Sequence, residues 1–146
     1  AMQIIPQLMS GEMTEFHGEY YDFPAVKMSP ATTKPVPIMV GGYAEAAMKR
    51  AASADGWMAT THEEKDIYPL IENINLKRKE AGHEQQAFDI WSGVQKPDQD
   101  TFKRLEEIGL TMTNGTNFLD STGRAIESSI DAKKKRLEQF AKRFFN

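Results

Sequence analysis

Two adjacent glycines, Gly41 and Gly42, stand where an apolar run ends and an alanine-rich segment begins. The run Val36 to Val40 (VPIMV) has the length and composition of a buried parallel strand, and Ala44 to Ala54 reads as a helix. The glycine pair therefore occupies a strand-to-helix turn. At such a turn the first N–H groups of the helix lack acceptors and the helix dipole is positive, a combination that receives a phosphate or another anion. Glycine lets the ligand approach the backbone because no Cβ intervenes. A tight turn with no ligand also uses such a pair, and the bare dipeptide does not separate the two readings.

Other chemistry is sparse. The sequence holds no cysteine, so a disulfide framework, a thiolate metal site and a cysteine nucleophile are excluded, and any redox chemistry has to come from a cofactor. His17, His62 and His83 are far apart, and none has a second ligand three or four residues away, so they read as surface or loop histidines. His62-Glu63-Glu64 lacks the second histidine of a zinc hydrolase and is expected to open a helix, with its acids near the positive end of the dipole. No Ser-His-Asp set or pair of carboxylates stands out. Lys133 to Arg136 reads as a solvated helix face, and Phe88 and Trp91 read as packing residues.

The elements that must position the glycine turn alternate regularly. Trp57 to Thr60 follows Asp55-Gly56 as a second strand, and Ile67, Leu70, Ile71 and Ile74 put an apolar stripe on the next helix, which ends near Gly82. Phe88 to Val94 is the third strand, and Phe102, Leu105 and Ile108 mark a helix closed by Gly109. Leu110 to Asn114 is the fourth strand. A loop from Gly115 to Gly123 then leads into a last helix carrying Ile126, Ile130, Leu137, Phe140, Ala141 and Phe144. Ahead of this series, residues up to Met9 read as the last turns of a helix, Thr14 to Phe23 as a hairpin or flap, and residues 10–35 as one lid-like excursion held extended by prolines.

Strict alternation implies parallel strands with right-handed crossovers. The expected fold class is α/β of the (β/α) TIM-barrel type. About four strand-helix units make half of an eight-unit barrel. The chain is read as a single domain of 146 residues. With 18 basic against 21 acidic residues the net charge of -3 gives no general attraction to nucleic acid or anionic membrane. No apolar run approaches the roughly 20 residues that span a bilayer, and no signal-peptide pattern opens the chain, so a cytoplasmic location is expected.

FHGEYYDF, the proline-rich connection, PVPIMVGGYAEAAMKRAA and ADGWM occur in one order and spacing that resembles the luciferase-like monooxygenase family, especially its flavin- and deazaflavin-dependent oxidoreductases. The similarity is most specific up to about Thr60 and looser beyond it, and it covers only the second half of the family's usual length. The resemblance implies that FMN or coenzyme F420 lies across the C-terminal ends of the strands. It further implies that Gly41, Gly42, Tyr43 and Ala44 hold the cofactor phosphate through backbone amides, and that Trp57 and Met58 lie near the same end. The family's first strands supply the bed for the ring, so no catalytic residue is assigned here.

Two functions follow as expectations. The first is the cofactor-phosphate-binding half of a flavin- or F420-dependent oxidoreductase, inactive by itself. The alternative is a non-enzymatic half-barrel that self-associates and binds at most a phosphate-bearing ligand. A small open-sheet nucleotide-binding module is disfavoured because no GxGxxG turn is present. Parallel strands covered on one face leave an apolar face and unpaired edges, so a homodimer that completes the barrel or covers the sheet is expected.

Overall fold

The computed structural model describes residues 2–114 and 129–145. The chain divides into two compact units, residues 1–38 and 39–146.

In the first unit, α1 (Ile4–Met9) is followed by an antiparallel hairpin of β1 (Thr14–His17) and β2 (Asp22–Val26). Gly18 N–H donates to the Tyr21 carbonyl at 2.9 Å to close the turn, and Phe16 and Phe23 stack across the strands with centroids 6.3 Å apart. The hairpin expected from Thr14 to Phe23 is present, three residues longer at its far end. The proline-rich stretch returns to α1, where both the Thr32 amide and its hydroxyl donate to the Met9 carbonyl at 3.1 Å.

The second unit runs β3 (Met39–Gly41), α2 (Glu45–Ala52), β4 (Gly56–His62), α3 (Glu64–Glu80), β5 (Asp89–Val94), α4 (Thr101–Glu107) and α5 (Ile130–Phe144). β3, β4 and β5 form a parallel sheet in sequence order. The first strand is shorter than the apolar run suggests. Pro37 has no N–H to give to a ladder, so pairing begins only at Met39. The fourth strand expected at Leu110 to Asn114 is corrected to a single parallel bridge, Trp91 to Met112. The Met112 amide donates to the Ile90 carbonyl within the bridge, while its neighbour Thr111 also gives its amide to that carbonyl and accepts the Ile90 amide on its hydroxyl at 2.9 Å. Among the described residues of this unit, three strands and a bridge rather than four full units are therefore seen. The loop from Gly115 to Gly123 and Ile126 lie outside the described residues.

Alternation along β4 and β5 splits the sheet into two faces. Trp57, Ala59 and Ile90 point to the helices, where they join Met48, Ala51 and Ala52 of α2, Ile67, Ile71 and Ile74 of α3, and Leu105 of α4 in one core. Alanines on α2 bring that helix close to the strands. On the other face Met58 is 44% exposed and Met112 37% exposed, with half-buried Trp91 between their strands. Among the described residues no helix is long and apolar enough to cross a membrane.

A polar cluster fastens α4 to α3. Arg104 donates Nε–H to Glu64 Oε1 at 2.6 Å and Nη2–H to Glu64 Oε2 at 2.8 Å, and also reaches Asp98 Oδ2 at 3.0 Å. Asp98 Oδ1 accepts the Thr101 amide at 2.7 Å and its hydroxyl at 2.8 Å, which anchors the start of α4. The Thr101 hydroxyl and the Arg104 guanidinium hold the Asp98 carboxyl down at about 2. A carboxyl lowered on folding contributes stability above its unfolded value of about 3.9 and loses it as pH falls through the folded value. The urea midpoint is accordingly expected to drop between pH of about 4 and about 2. In Asp98→Asn that part of the drop is expected to shrink; an unchanged pH profile would show that the cluster does not act through Asp98.

Candidate functional site

The glycine turn sits at the C-terminal end of β3, on the edge of the parallel sheet where ligands of such folds bind. The two glycines have different causes. Gly42 has φ +113°, and a Cβ there would lie 3.1 Å from the Ala47 Cβ, so the chain's own geometry demands glycine. Gly41 pairs with Met58 in the ladder, and its Cβ would meet only the Met58 carbonyl at an ordinary 3.6 Å. Nothing within the described protein requires Gly41 to lack a side chain. A tight turn explains Gly42 and leaves Gly41 unexplained; close approach of a ligand to the backbone explains both.

Ala44 is the N-cap of α2, with extended φ and ψ and no side-chain cap bond. Alanine carries no oxygen that can accept from the first-turn amides. The first bonds into the helix are Ala47 and Met48 N–H to the Ala44 carbonyl at 2.8 and 3.0 Å, so the amides of Glu45 and Ala46 precede the helical ladder. These donors, at the positive end of the helix dipole, suit an anion. Glu45 would oppose one, but its carboxylate is drawn to Lys77 at 3.0 Å and to Lys49 at 3.4 Å. The hydrogen bond from Lys77, helped by Lys49, lowers the Glu45 pKa and keeps the group ionised and paired.

Beneath the turn lies Trp57, 1% exposed, whose Nε1–H donates to the Gly42 carbonyl at 2.9 Å. Tyr43, 43% exposed, sets its ring edge-on to Trp57 with centroids 5.9 Å apart. Its hydroxyl accepts the Thr60 amide at 2.7 Å and lies 2.8 Å from His62 Nε2 and 2.9 Å from Thr60 Oγ1. The structure thus brings Gly41, Gly42, Tyr43, Ala44 and Trp57 together. Met58 is their neighbour in sequence, but alternation turns its side chain to the face opposite Trp57.

Thr60, His62 and Ser92 join this site without having been singled out for it. Thr60 and His62 lie at and beyond the shift in β4–β5 register between Met58 and Thr61. The broken polar alternation of Thr60-Thr61 is the one faint sign of that shift in the sequence. His62 ends β4, and Glu63 is the N-cap of α3, as the acidic run suggests.

The luciferase-like monooxygenase family matches residues 1–107. The chain belongs to this family. Uncharacterized proteins from Mycobacterium bovis and from two strains of Mycobacterium tuberculosis are each 43% identical to it over 111 residues, 75% of this chain. The chain spans 38% of the length of these curated relatives. Among solved structures, the coenzyme F420 dependent tetrahydromethanopterin reductase from Methanopyrus kandleri aligns with a TM-score of 0.54 and 21% identity, over 68% of this chain and 30% of that one. At that identity the likeness speaks for the fold: an α/β arrangement similar to part of a luciferase-like barrel. The family match stops at Glu107, before α5.

The different causes of the two glycines lead to a separable outcome. Gly42→Ala is expected to destabilise the fold by about 1–2 kcal/mol through strain at positive φ. Gly41→Ala should stay within about 0.5 kcal/mol of the parent. Urea midpoints of the two variants check this, and equal losses would remove the distinction.

Proposed function

We propose that this chain is the cofactor-phosphate-binding part of a flavin- or F420-dependent oxidoreductase of the luciferase-like family, inactive without the strands that bed the ring. The observation that carries the reading is Gly41: an open glycine, one residue before a conformationally required one, leading into a helix whose N-cap has no side-chain acceptor. The residues fit a phosphate. In this reading the amides of Tyr43 to Ala46 donate to its oxygens, Gly41 leaves room for it, and Trp57 supports the turn from below. FMN or F420 would supply the hydride or electron chemistry, and this chain's own residues bind and orient it. Family membership and the F420 dependence of the reductase from Methanopyrus kandleri support the choice of cofactor class.

FMN and F420 binding, followed by fluorescence with inorganic phosphate as competitor, tests the proposal. Phosphate should displace the cofactor, and Gly41→Ala should weaken binding about tenfold or more by placing a methyl against the ligand. Binding that is indifferent to both phosphate and Gly41→Ala would overturn the assignment of the turn.

The same reading includes a partner. The sheet face bearing Met58, Trp91 and Met112 is the one that a barrel would turn inward, and a second copy of the chain is proposed to cover it. Analytical ultracentrifugation should find a dimer at micromolar concentration, and Met58→Glu should shift it to monomer by placing a charge in the interface. A well-folded monomeric parent chain would exclude self-association through this face.

A further inference from the structure

Tyr43 is tied down more firmly than a half-exposed tyrosine requires. Three polar atoms surround its hydroxyl: Thr60 N at 2.7 Å, His62 Nε2 at 2.8 Å and Thr60 Oγ1 at 2.9 Å. The Thr60 amide donates to Tyr43 beyond the last β3–β4 pair, Gly41–Met58, and where β4 slips against β5, the partners there changing from Met58–Trp91 to Thr61–Gly93. Such a bulge leaves one residue's backbone outside the ladder. On its other side the Thr60 carbonyl accepts the Ser92 hydroxyl at 3.1 Å. Both backbone polar groups of the bulged residue therefore end on side chains, one from the glycine turn and one from β5.

The ring is held as well as the hydroxyl. Its edge meets Trp57, and His62 meets it at nearly a right angle with centroids 5.7 Å apart. Tyr43 lies between Gly42, with its positive φ, and the N-cap Ala44, so fixing Tyr43 fixes the peptides that carry the turn's donors. Trp57 holds the same turn by the Gly42 carbonyl.

We propose that Tyr43 and the β4 bulge at Thr60 form a brace that holds the Gly41–Ala44 turn in its anion-receiving shape before any ligand arrives. Tyr43 is a positioning residue: its hydroxyl is engaged by the protein, and it acts on the ligand through the turn's amides. The benefit is preorganisation, because ordering of the turn is not charged against binding. This inference rests on the phosphate reading of the turn given above.

The test is a titration of the isotopically labelled 146-residue chain with inorganic phosphate, following the amide resonances of Tyr43 to Ala46, with hydrogen exchange at the Thr60 amide as a second readout. Tyr43→Phe keeps the ring and removes the hydroxyl. It should weaken phosphate binding about fivefold or more and speed exchange at Thr60. Ile74→Val, which loosens the core of the same unit away from the turn, should lower the melting temperature and leave phosphate affinity unchanged. If the parent chain shows no phosphate response at these amides, the phosphate reading fails and this inference with it. A parent response that Tyr43→Phe retains at full affinity overturns the brace alone, as does an equal loss of affinity in Ile74→Val.

Discussion

A buried tryptophan has one N–H, and water cannot reach it, so the protein has to provide an acceptor. For Trp57 that acceptor is the Gly42 carbonyl. The indole is at once the largest fully buried side chain among the described residues, packed among α2, α3 and β5, and the support of the turn at the end of β3. Through this bond the core and the site become one object. The turn cannot unfold without stranding a buried donor.

Parallel order explains why the core lies on only one side. Each crossover from β3 to β4 and from β4 to β5 goes through a helix, and α2 and α3 both pack on the face that carries Trp57, Ala59 and Ile90. Among the described residues the opposite face presents Met58 and Met112 to solvent. In a closed barrel that face is interior. The half-exposed methionines and the placement of the glycine turn at the strands' C-terminal ends are thus two results of one topology.

Electrostatics serve the fold at one end and keep clear of the turn at the other. Arg104, Glu64, Asp98 and Thr101 tie α4 to α3, and hydrogen bonds lower both carboxyls while raising the guanidinium's hold on its proton. At the start of α2 the Glu45 carboxylate is occupied by lysines from α2 and α3. The first-turn amides are thereby spared a competing internal anion.

Local rules were enough to read much of this chain. The apolar runs, the alanine-rich helix after Gly42, the stripe from Ile67 to Ile74 and the hairpin around Gly18 follow from periodicity and turn chemistry, and the order of motifs pointed to the family. Strand limits were less legible. Pro37 delayed the first strand, and Leu110 to Asn114 became a bridge, because pairing depends on which donors face a neighbour and not on apolarity alone. What only the tertiary structure decided is the register slip in β4. That slip lies at Thr60, whose amide and hydroxyl meet the Tyr43 hydroxyl beside His62, and packing also decided that Gly42, at positive φ against Ala47, has to be glycine where Gly41 does not. A bulge is set by how two strands fit side by side, and no residue in a single strand spells it out.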